Sequence, residues 1–146
     1  FVTPTSPYSR LALIVRMEKQ LSDQVELVWT QTRNPNDPML VNNPSGRIPF
    51  LLLKDGTGYE DTDVIIPYFD SLVSPRQFDF PSGEAYWPFR RLQAMARSML
   101  DGISVWAREV IRPTHEQSPK IIEHERQRAR RMADYFEKII SDRVKS

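Results

Sequence analysis

Ser6 is the residue of this chain whose setting most directly suggests chemistry. It stands immediately before Pro7. Serine is favoured as the N-cap of a helix and proline as its first residue. The free backbone N–H groups and the positive dipole at a helix start favour an anion. A thiol bound there would have a lowered pKa, and its sulfur could attack an electrophilic carbon. The alternative is that Ser6 only caps the helix, and a Ser-Pro pair taken alone favours that alternative.

A second candidate region runs from Asn43 to Thr62. It begins with a glycine-containing turn, and Pro49, which cannot donate a ladder hydrogen bond, is expected at or just before the first position of a strand. The apolar run Phe50–Leu53 predicts a short buried strand. Residues 54–58 contain two glycines and predict a hairpin turn. Thr62 is predicted to be the N-cap of the next helix, because an aspartate on either side suits a helix start.

The order of these features resembles the glutathione-binding half of the glutathione S-transferase family. Residues 43–49, Asn-Pro-Ser-Gly-Arg-Ile-Pro, are similar to the family segment "N-P-x-G-[KR]-[VI]-P". In the family, that segment precedes two antiparallel strands, and an acidic residue followed by Ser or Thr opens the next helix, as Asp61-Thr62 does here. The resemblance implies that the chain binds glutathione and conjugates its thiol to an electrophile, or uses the thiol in a related exchange or reductive reaction.

The resemblance also implies a role for Ser6 and its neighbours. Ser6-Pro7-Tyr8 is similar to the "S-P-F/Y" of serine-type members, so Ser6 would contact the glutathione sulfur, with Thr5 as the alternative. Ile48 matches the position whose backbone N–H and carbonyl pair with the cysteinyl part of glutathione, like a strand added to a sheet edge. That geometry implies a cis bond between Ile48 and Pro49.

The two charged ends of glutathione have counterparts as well. Asp61 and Thr62 match the pair that receives the γ-glutamyl end, with Thr62 at the carboxylate and Asp61 near the amine. Arg47 stands where many relatives have Lys near the glycyl carboxylate, and its guanidinium suits a carboxylate. Considered alone, Arg47 is better explained as a solvated surface charge. Glu60 departs from the family pattern, since that position is usually apolar, and its presence predicts a more exposed strand edge.

The pattern of elements predicts two domains. Residues 1–73 show a β-α-β, loop, β-β-α order, which resembles the α/β thioredoxin-like fold, and residues 74–83 are interpreted as a linker. Residues 84–146 are predicted to be an all-α domain with two long helices, which either are part of a larger helical domain or form a shorter one that a partner subunit covers. Charge supports the boundary, because residues 1–72 carry six basic and nine acidic side chains, whereas residues 73–146 carry fourteen and ten.

Individual elements can be placed more closely. The first helix is predicted from Pro7 to near Leu21, followed by a strand through Val25–Trp29, where apolar and polar residues alternate. One helical turn is expected within the loop 31–43. Spacings of three and four predict a helix over Leu92–Val110. Arg112-Pro113 is expected to end that helix and Ser118-Pro119 to start the last one.

Composition narrows the possible functions. The chain of 146 residues has a net charge of +1, no cysteine and two histidines. The absence of cysteine excludes disulfides, a Cys-x-x-Cys redox pair and a thiolate metal site. No metal is expected, because two histidines, His115 and His124, are few for a zinc site, and both are predicted to be solvated. Near-neutral charge gives no reason to expect nucleic acid or a membrane as partner, and acidic side chains interrupt the arginine run at 126–131.

The expected partners are therefore glutathione and a small electrophile, with a cytoplasmic location and a homodimer implied by the resemblance. The alternative function is a non-catalytic member of the family that acts as an interaction or regulatory module. Loss of the Asp-Thr pair or of the apolar-Pro step would favour that alternative, and both are present as Asp61-Thr62 and Ile48-Pro49. The identity of the electrophile is not encoded in any motif of the sequence.

Overall fold

The structure is a computed structural model that describes residues 1–144. It divides into two compact units, Phe1–Asp79 and a second unit that begins at Phe80. The first unit contains helix α1 (Pro7–Glu18), strands β1 (Phe50–Leu52) and β2 (Gly58–Glu60), and helix α2 (Thr62–Ser71). The second contains helices α3 (Tyr86–Val110) and α4 (Pro119–Val144). The domain bounds predicted from the sequence, 1–73 and 84–146, remain predictions.

Four chain segments lie side by side in the first unit. Strands β1 and β2 pair antiparallel, with Phe50 opposite Glu60. On the other side of β1, Phe1 and Phe50 exchange two hydrogen bonds, of 2.7 Å from the Phe1 nitrogen and 3.1 Å from the Phe50 nitrogen. Val2 then forms a parallel bridge with Trp29. The spatial order is therefore the segment around Trp29, the segment around Val2, β1 and β2.

The predicted strand through Val25–Trp29 is shorter than expected. It is reduced to the bridge at Trp29, where the Val2 N–H donates to Val28 and the Thr30 N–H donates to Val2. The residues before it instead turn back on α1, since the Val25 N–H donates to the Leu21 carbonyl. Alternating apolar residues therefore mark the pairing position correctly, but the adjoining turn limits the length of the strand.

Helix α1 begins as the sequence predicts, at Pro7 with Ser6 as N-cap. It ends at Glu18, slightly before the expected end near Leu21. Leu21 itself is fully buried and belongs to the core, together with Ala12 and Val15. Ala12 and Val15 thus face the interior as the helical spacing predicts, whereas the apolar residues Ile14 and Met17 of the same helix are exposed.

Helix α2 packs against α1, contributing Ile65 and Phe69 to the same core. Its N-cap is Asp61, whose side chain accepts a hydrogen bond of 3.0 Å from the Asp63 N–H. The prediction of Thr62 as the cap is therefore wrong by one residue, because Asp61 adopts φ 71° and places its own carboxylate over the first turn. Thr62 is the first helical residue and is buried.

The loop between α1 and β1 contains one short 3₁₀ turn, Pro38–Val41, where one helical turn was expected. Asp37 caps this turn through its carboxylate, which accepts from the Met39 N–H at 2.9 Å, from the Gln31 N–H at 2.9 Å and from the Thr30 hydroxyl at 2.6 Å. These three donors, led by the Thr30 hydroxyl, hold the pKa of Asp37 below its usual value.

The second unit is a pair of helices joined by residues 111–118. Helix α3 ends at Val110 and α4 begins at Pro119, which confirms the predicted stop at Arg112-Pro113 and the predicted start at Ser118-Pro119. Helix α3 extends from Tyr86, six residues before the apolar spacing first indicates it. Gly102 in α3 lies close against α4, since a Cβ there would meet the Glu125 carboxylate at 2.6 Å. His115 and His124 are exposed, as predicted.

Within residues 1–144, every helix is too short or too polar to cross a membrane.

Candidate functional site

The sheet brings the predicted site segments to one edge. Because Phe1 and Phe50 pair antiparallel, the chain that leaves Phe1 toward Ser6 runs beside the chain that arrives through Ile48. Glu60 lies opposite Phe50 on the far side of β1, so Asp61 leaves the sheet at the same edge. The start of α1, the residues before β1 and the start of α2 therefore share one end of the sheet.

Ser6 is partly exposed at this edge and is fixed by its helix. Its hydroxyl oxygen accepts a hydrogen bond of 3.2 Å from the Ser9 N–H, and its carbonyl accepts one of 3.1 Å from the Arg10 N–H. A hydroxyl that accepts a hydrogen bond still has its own hydrogen to donate. The prediction that Ser6 is the N-cap of α1 is confirmed. In this position the hydroxyl can still donate a hydrogen bond to a second partner. Thr5, the alternative, is exposed and precedes the helix.

Ile48 joins Pro49 through a cis peptide bond, as predicted. Within residues 1–144, neither the backbone N–H nor the carbonyl of Ile48 has a hydrogen-bond partner in the protein. A segment with both backbone groups unpaired can pair with an added strand. Ile48 is half-buried, whereas Pro49 and Phe50 that follow it are buried.

The turn before Ile48 is held by a side-chain network that the sequence did not predict. Asn43 is 2% exposed. Its amide nitrogen donates to the Arg47 carbonyl at 2.7 Å, and its amide oxygen accepts from the Ser45 hydroxyl at 2.9 Å. The Ser45 oxygen in turn accepts from the Arg47 N–H at 3.1 Å. The single hydrogen of the Ser45 hydroxyl is shared between the Asn43 amide oxygen and the Glu60 carboxylate. Glu60 is exposed, as predicted.

At the start of α2, the two predicted residues differ in burial. Thr62 is 1% exposed, and its hydroxyl lies 3.4 Å from the Asp61 carboxylate. Asp61 is exposed. Its carboxylate accepts from the Asp63 N–H and its carbonyl from the Val64 N–H, so Asp61 already engages part of the first turn of the helix that starts at this edge of the sheet. Arg47 is also exposed and places a guanidinium in the turn before β1.

The described residues contain no group of three or more His, Asp or Glu side chains arranged to hold a metal ion. The arrangement instead offers a hydroxyl at one helix start, two unpaired backbone groups, and a second helix start. These groups suit an extended, polar, anionic ligand with a peptide-like backbone.

Similarity to known proteins shows which family the chain belongs to. A family model, glutathione S-transferase N-terminal domain, matches residues 5–72. The crystal structure of a glutathione S-transferase from Methylobacillus flagellatus, with glutathione bound, is 30% identical, with a TM-score of 0.77 over 94% of this chain and 67% of that one. The chain belongs to the glutathione S-transferase family. Its fold is the thioredoxin-like N-terminal region of that family followed by a helical region.

Other members of the glutathione S-transferase family are similar over the same extent. A family member from Pseudomonas fluorescens, solved with bound glutathione, is 27% identical, with a TM-score of 0.76 over 90% of this chain and 66% of that one. The uncharacterized glutathione S-transferase-like protein YibF of Escherichia coli K12 is 27% identical over 139 residues, or 94% of this chain and 67% of that protein. The chain spans about two thirds of the length of these relatives.

Proposed function

We propose that the chain binds glutathione at the sheet edge formed by Ser6, Ile48 and Asp61, and that it conjugates the glutathione thiol to a small electrophile. The observation that carries the proposal is that both backbone groups of Ile48 are unpaired among residues 1–144, at the sheet edge where α1 begins. Relatives solved with glutathione bound lend support.

Each part of glutathione has a complementary group in this chain. The cysteinyl part pairs with the N–H and carbonyl of Ile48, as an added strand would. The γ-glutamyl carboxylate lies at the start of α2, where the helix dipole favours an anion, and the exposed Asp61 carboxylate attracts the amine. Thr62, which the resemblance matches to this carboxylate, is 1% exposed with its hydroxyl 3.4 Å from the Asp61 carboxylate, so a direct contact requires Thr62 to be uncovered. Arg47 is exposed in the turn before Ile48 and pairs with the glycyl carboxylate.

Ser6 then stabilises the thiolate. Its hydroxyl donates a hydrogen bond to the sulfur, and the positive end of α1 lowers the thiol pKa, so the proton leaves to water. The sulfur lone pair forms a carbon–sulfur bond with the electrophile, and the leaving group departs with the electron pair of the bond that breaks. Because the chain contains no cysteine, a protein thiol takes no part in this reaction.

The test is a calorimetric glutathione titration together with conjugation rates on an activated aromatic halide. Ser6→Ala removes both the helix cap and the hydroxyl, whereas Ser6→Asp keeps a cap but supplies no hydrogen-bond donor. We expect the wild type and both variants to bind glutathione, and only the wild type to turn over at full rate. The carboxylate of Ser6→Asp also repels a thiolate, so Ser6→Gly, which is tolerated as a cap and supplies neither donor nor charge, should lose turnover as well; loss in both variants separates thiolate stabilisation from helix capping.

Two other results would change the assignment. If Thr5→Ala loses turnover and Ser6→Ala does not, Thr5 contacts the thiol. If the wild type binds glutathione and conjugates nothing, the non-catalytic interaction module is the correct function. A wild type that does not bind glutathione contradicts the proposed site.

The proposal includes a cytoplasmic homodimer, as the family resemblance implies. Apolar side chains on the helical unit support it. Val105, Val110, Ile121 and Ile140 are each at least 40% exposed in the single chain, and a partner copy would remove this surface from water. Sedimentation at micromolar concentration tests the expectation, and a single species of monomer mass would contradict it.

A further inference from the structure

Glu60 on β2 is joined to Ser45 in the turn before β1, fifteen residues earlier in the chain. The Glu60 carboxylate accepts a hydrogen bond from the Ser45 hydroxyl, and both residues lie at the protein surface. Glu60 is not part of the core, so packing does not account for this contact. The hydrogen bond ties the turn to the strand that leads into α2.

Ser45 passes this restraint on to Arg47. The Ser45 oxygen accepts from the Arg47 N–H at 3.1 Å, while the buried Asn43 amide donates to the Arg47 carbonyl at 2.7 Å. Both backbone polar groups of Arg47 are therefore engaged, one residue before Ile48. In contrast, the N–H and carbonyl of Ile48 have no partner among the described residues. The network thus holds the chain immediately before the unpaired segment and leaves that segment open.

We propose that Ser45 and Glu60 are positioning residues for glutathione, acting through the segment Arg47–Pro49. This inference rests on the proposed function. A segment that is ordered before the ligand arrives loses less conformational freedom on binding, so its affinity is higher. The Ser45–Glu60 hydrogen bond supplies this order from the surface side of the turn, and Asn43 supplies it from the buried side.

The effect should appear in glutathione affinity and not in the chemical step. Glu60→Leu and Ser45→Ala each remove one partner of the hydrogen bond, and Glu60→Gln keeps an acceptor. We expect the glutathione Kd to rise about threefold to tenfold in Glu60→Leu, the range expected for losing one hydrogen bond, and by at least as much in Ser45→Ala, which also removes the acceptor of the Arg47 N–H. The kcat at saturating glutathione and the KM for the electrophile should stay at wild-type values, and Glu60→Gln should bind nearly as well as wild type.

A double-mutant cycle tests whether the two residues act together. The variant Ser45→Ala/Glu60→Leu should bind glutathione no more weakly than the weaker single variant, because the same hydrogen bond is lost in each. Glu26→Leu is the matched control, since it removes an exposed glutamate of the same unit outside this network, and it should leave the Kd unchanged.

Amide hydrogen exchange without ligand supplies a readout that does not depend on glutathione. The Arg47 N–H should exchange faster in Glu60→Leu than in wild type, while amides in α1 should be unaffected. If wild type binds glutathione but Glu60→Leu and Ser45→Ala match it in Kd, or if Arg47 exchange is unchanged, the positioning role is wrong and the proposed function stands. A wild type that does not bind glutathione, with Arg47 exchange responding as expected, overturns the proposed function and the role in binding together.

Discussion

The ammonium of Lys19 lies 3.0 Å from the carboxylate of Asp70, and the two side chains are 3% and 1% exposed. Lys19, just after α1, also donates to the Pro75 carbonyl at 2.7 Å. Asp70, in α2, accepts from the N–H groups of Gln77 and Phe78 at 2.9 and 3.0 Å. One ion pair therefore joins both helices of the first unit to the segment that follows them.

Removing one member of this pair should destabilise the protein strongly. Asp70→Asn leaves the Lys19 ammonium buried without a counter-charge, and breaking a buried pair in this way costs about 3–5 kcal/mol. We expect the free energy of unfolding in urea to fall by that amount.

The double variant Lys19→Met/Asp70→Asn should be more stable than Asp70→Asn, since it contains no unpaired charge. Arg76→Ala, which breaks an exposed pair with Asp79, should change the free energy by under about 1 kcal/mol. An Asp70→Asn variant as stable as Arg76→Ala would contradict this account.

Asp37 should make the stability depend on pH in the acid range. Hydrogen bonds from Thr30, Gln31 and Met39 hold its folded-state pKa below the ordinary value of 3.8. A depressed folded-state pKa means that the ionised carboxylate stabilises the fold above the unfolded-state value, and that this contribution is lost as pH falls through the folded-state value. The difference in unfolding free energy between wild type and Asp37→Asn should be constant above about pH 5 and shrink below about pH 4.

Urea unfolding at several pH values from 7 downward would measure this difference. Glu26→Gln, an exposed carboxylate of the same unit, serves as the control and should show no such change. A wild-type advantage over Asp37→Asn that grew on acidification would have the wrong sign for this mechanism.

Gly58→Ala should destabilise the hairpin. A Cβ at Gly58 would lie 2.6 and 2.8 Å from two ring carbons of Phe50, which is 4% exposed and cannot easily move. Overpacking of this kind costs about 1–3 kcal/mol. In the background Phe50→Leu the same glycine substitution should cost less, because the smaller side chain leaves room for the methyl group. Equal costs in the two backgrounds, measured by urea unfolding, would show that the ring is not responsible.

Glu109→Ala should loosen the connection between α3 and α4. Glu109 is 8% exposed. Its carboxylate accepts a 2.6 Å hydrogen bond from the Ser118 N–H, just before α4 begins. Leaving that N–H without its partner should cost about 1–3 kcal/mol of stability. Glu109→Gln retains an acceptor oxygen and should lose less. Thermal unfolding of the full chain would measure both, and equal losses would show that the charge, not the hydrogen bond, is what matters.

Local signals in the sequence predicted much of the frame of this molecule. Ser6-Pro7 and Ser118-Pro119 identified two helix starts because capping chemistry involves only neighbouring residues. Resemblance to the family, and not periodicity, predicted the cis Ile48–Pro49 bond. The sequence placed the cap of α2 one residue too late, because an Asp-Thr pair does not indicate that Asp61 adopts φ 71°.

Contacts between residues far apart in the chain could not be predicted from the sequence. Lys19 and Asp70 are 51 positions apart, and each looks like an ordinary surface charge within its own helix pattern. Asn43, Ser45 and Glu60 likewise read as turn and edge residues, and their mutual hydrogen bonds exist only because the fold places the turn beside β2. Composition and spacing carry no signal for such pairings.

Because the Lys19 ammonium is paired with Asp70 and the Pro75 carbonyl, Lys19 should react differently from the other lysines in chemical labelling. An amine-reactive reagent needs an accessible, unprotonated amine, whereas the Lys19 ammonium is shielded by its carboxylate and carbonyl partners. Lys54, Lys120 and Lys138 are exposed and should be modified rapidly. Lys19 should be modified only when the Pro75 segment detaches from α1 and α2. The rate of its modification therefore counts how often this part of the chain opens in an otherwise folded molecule.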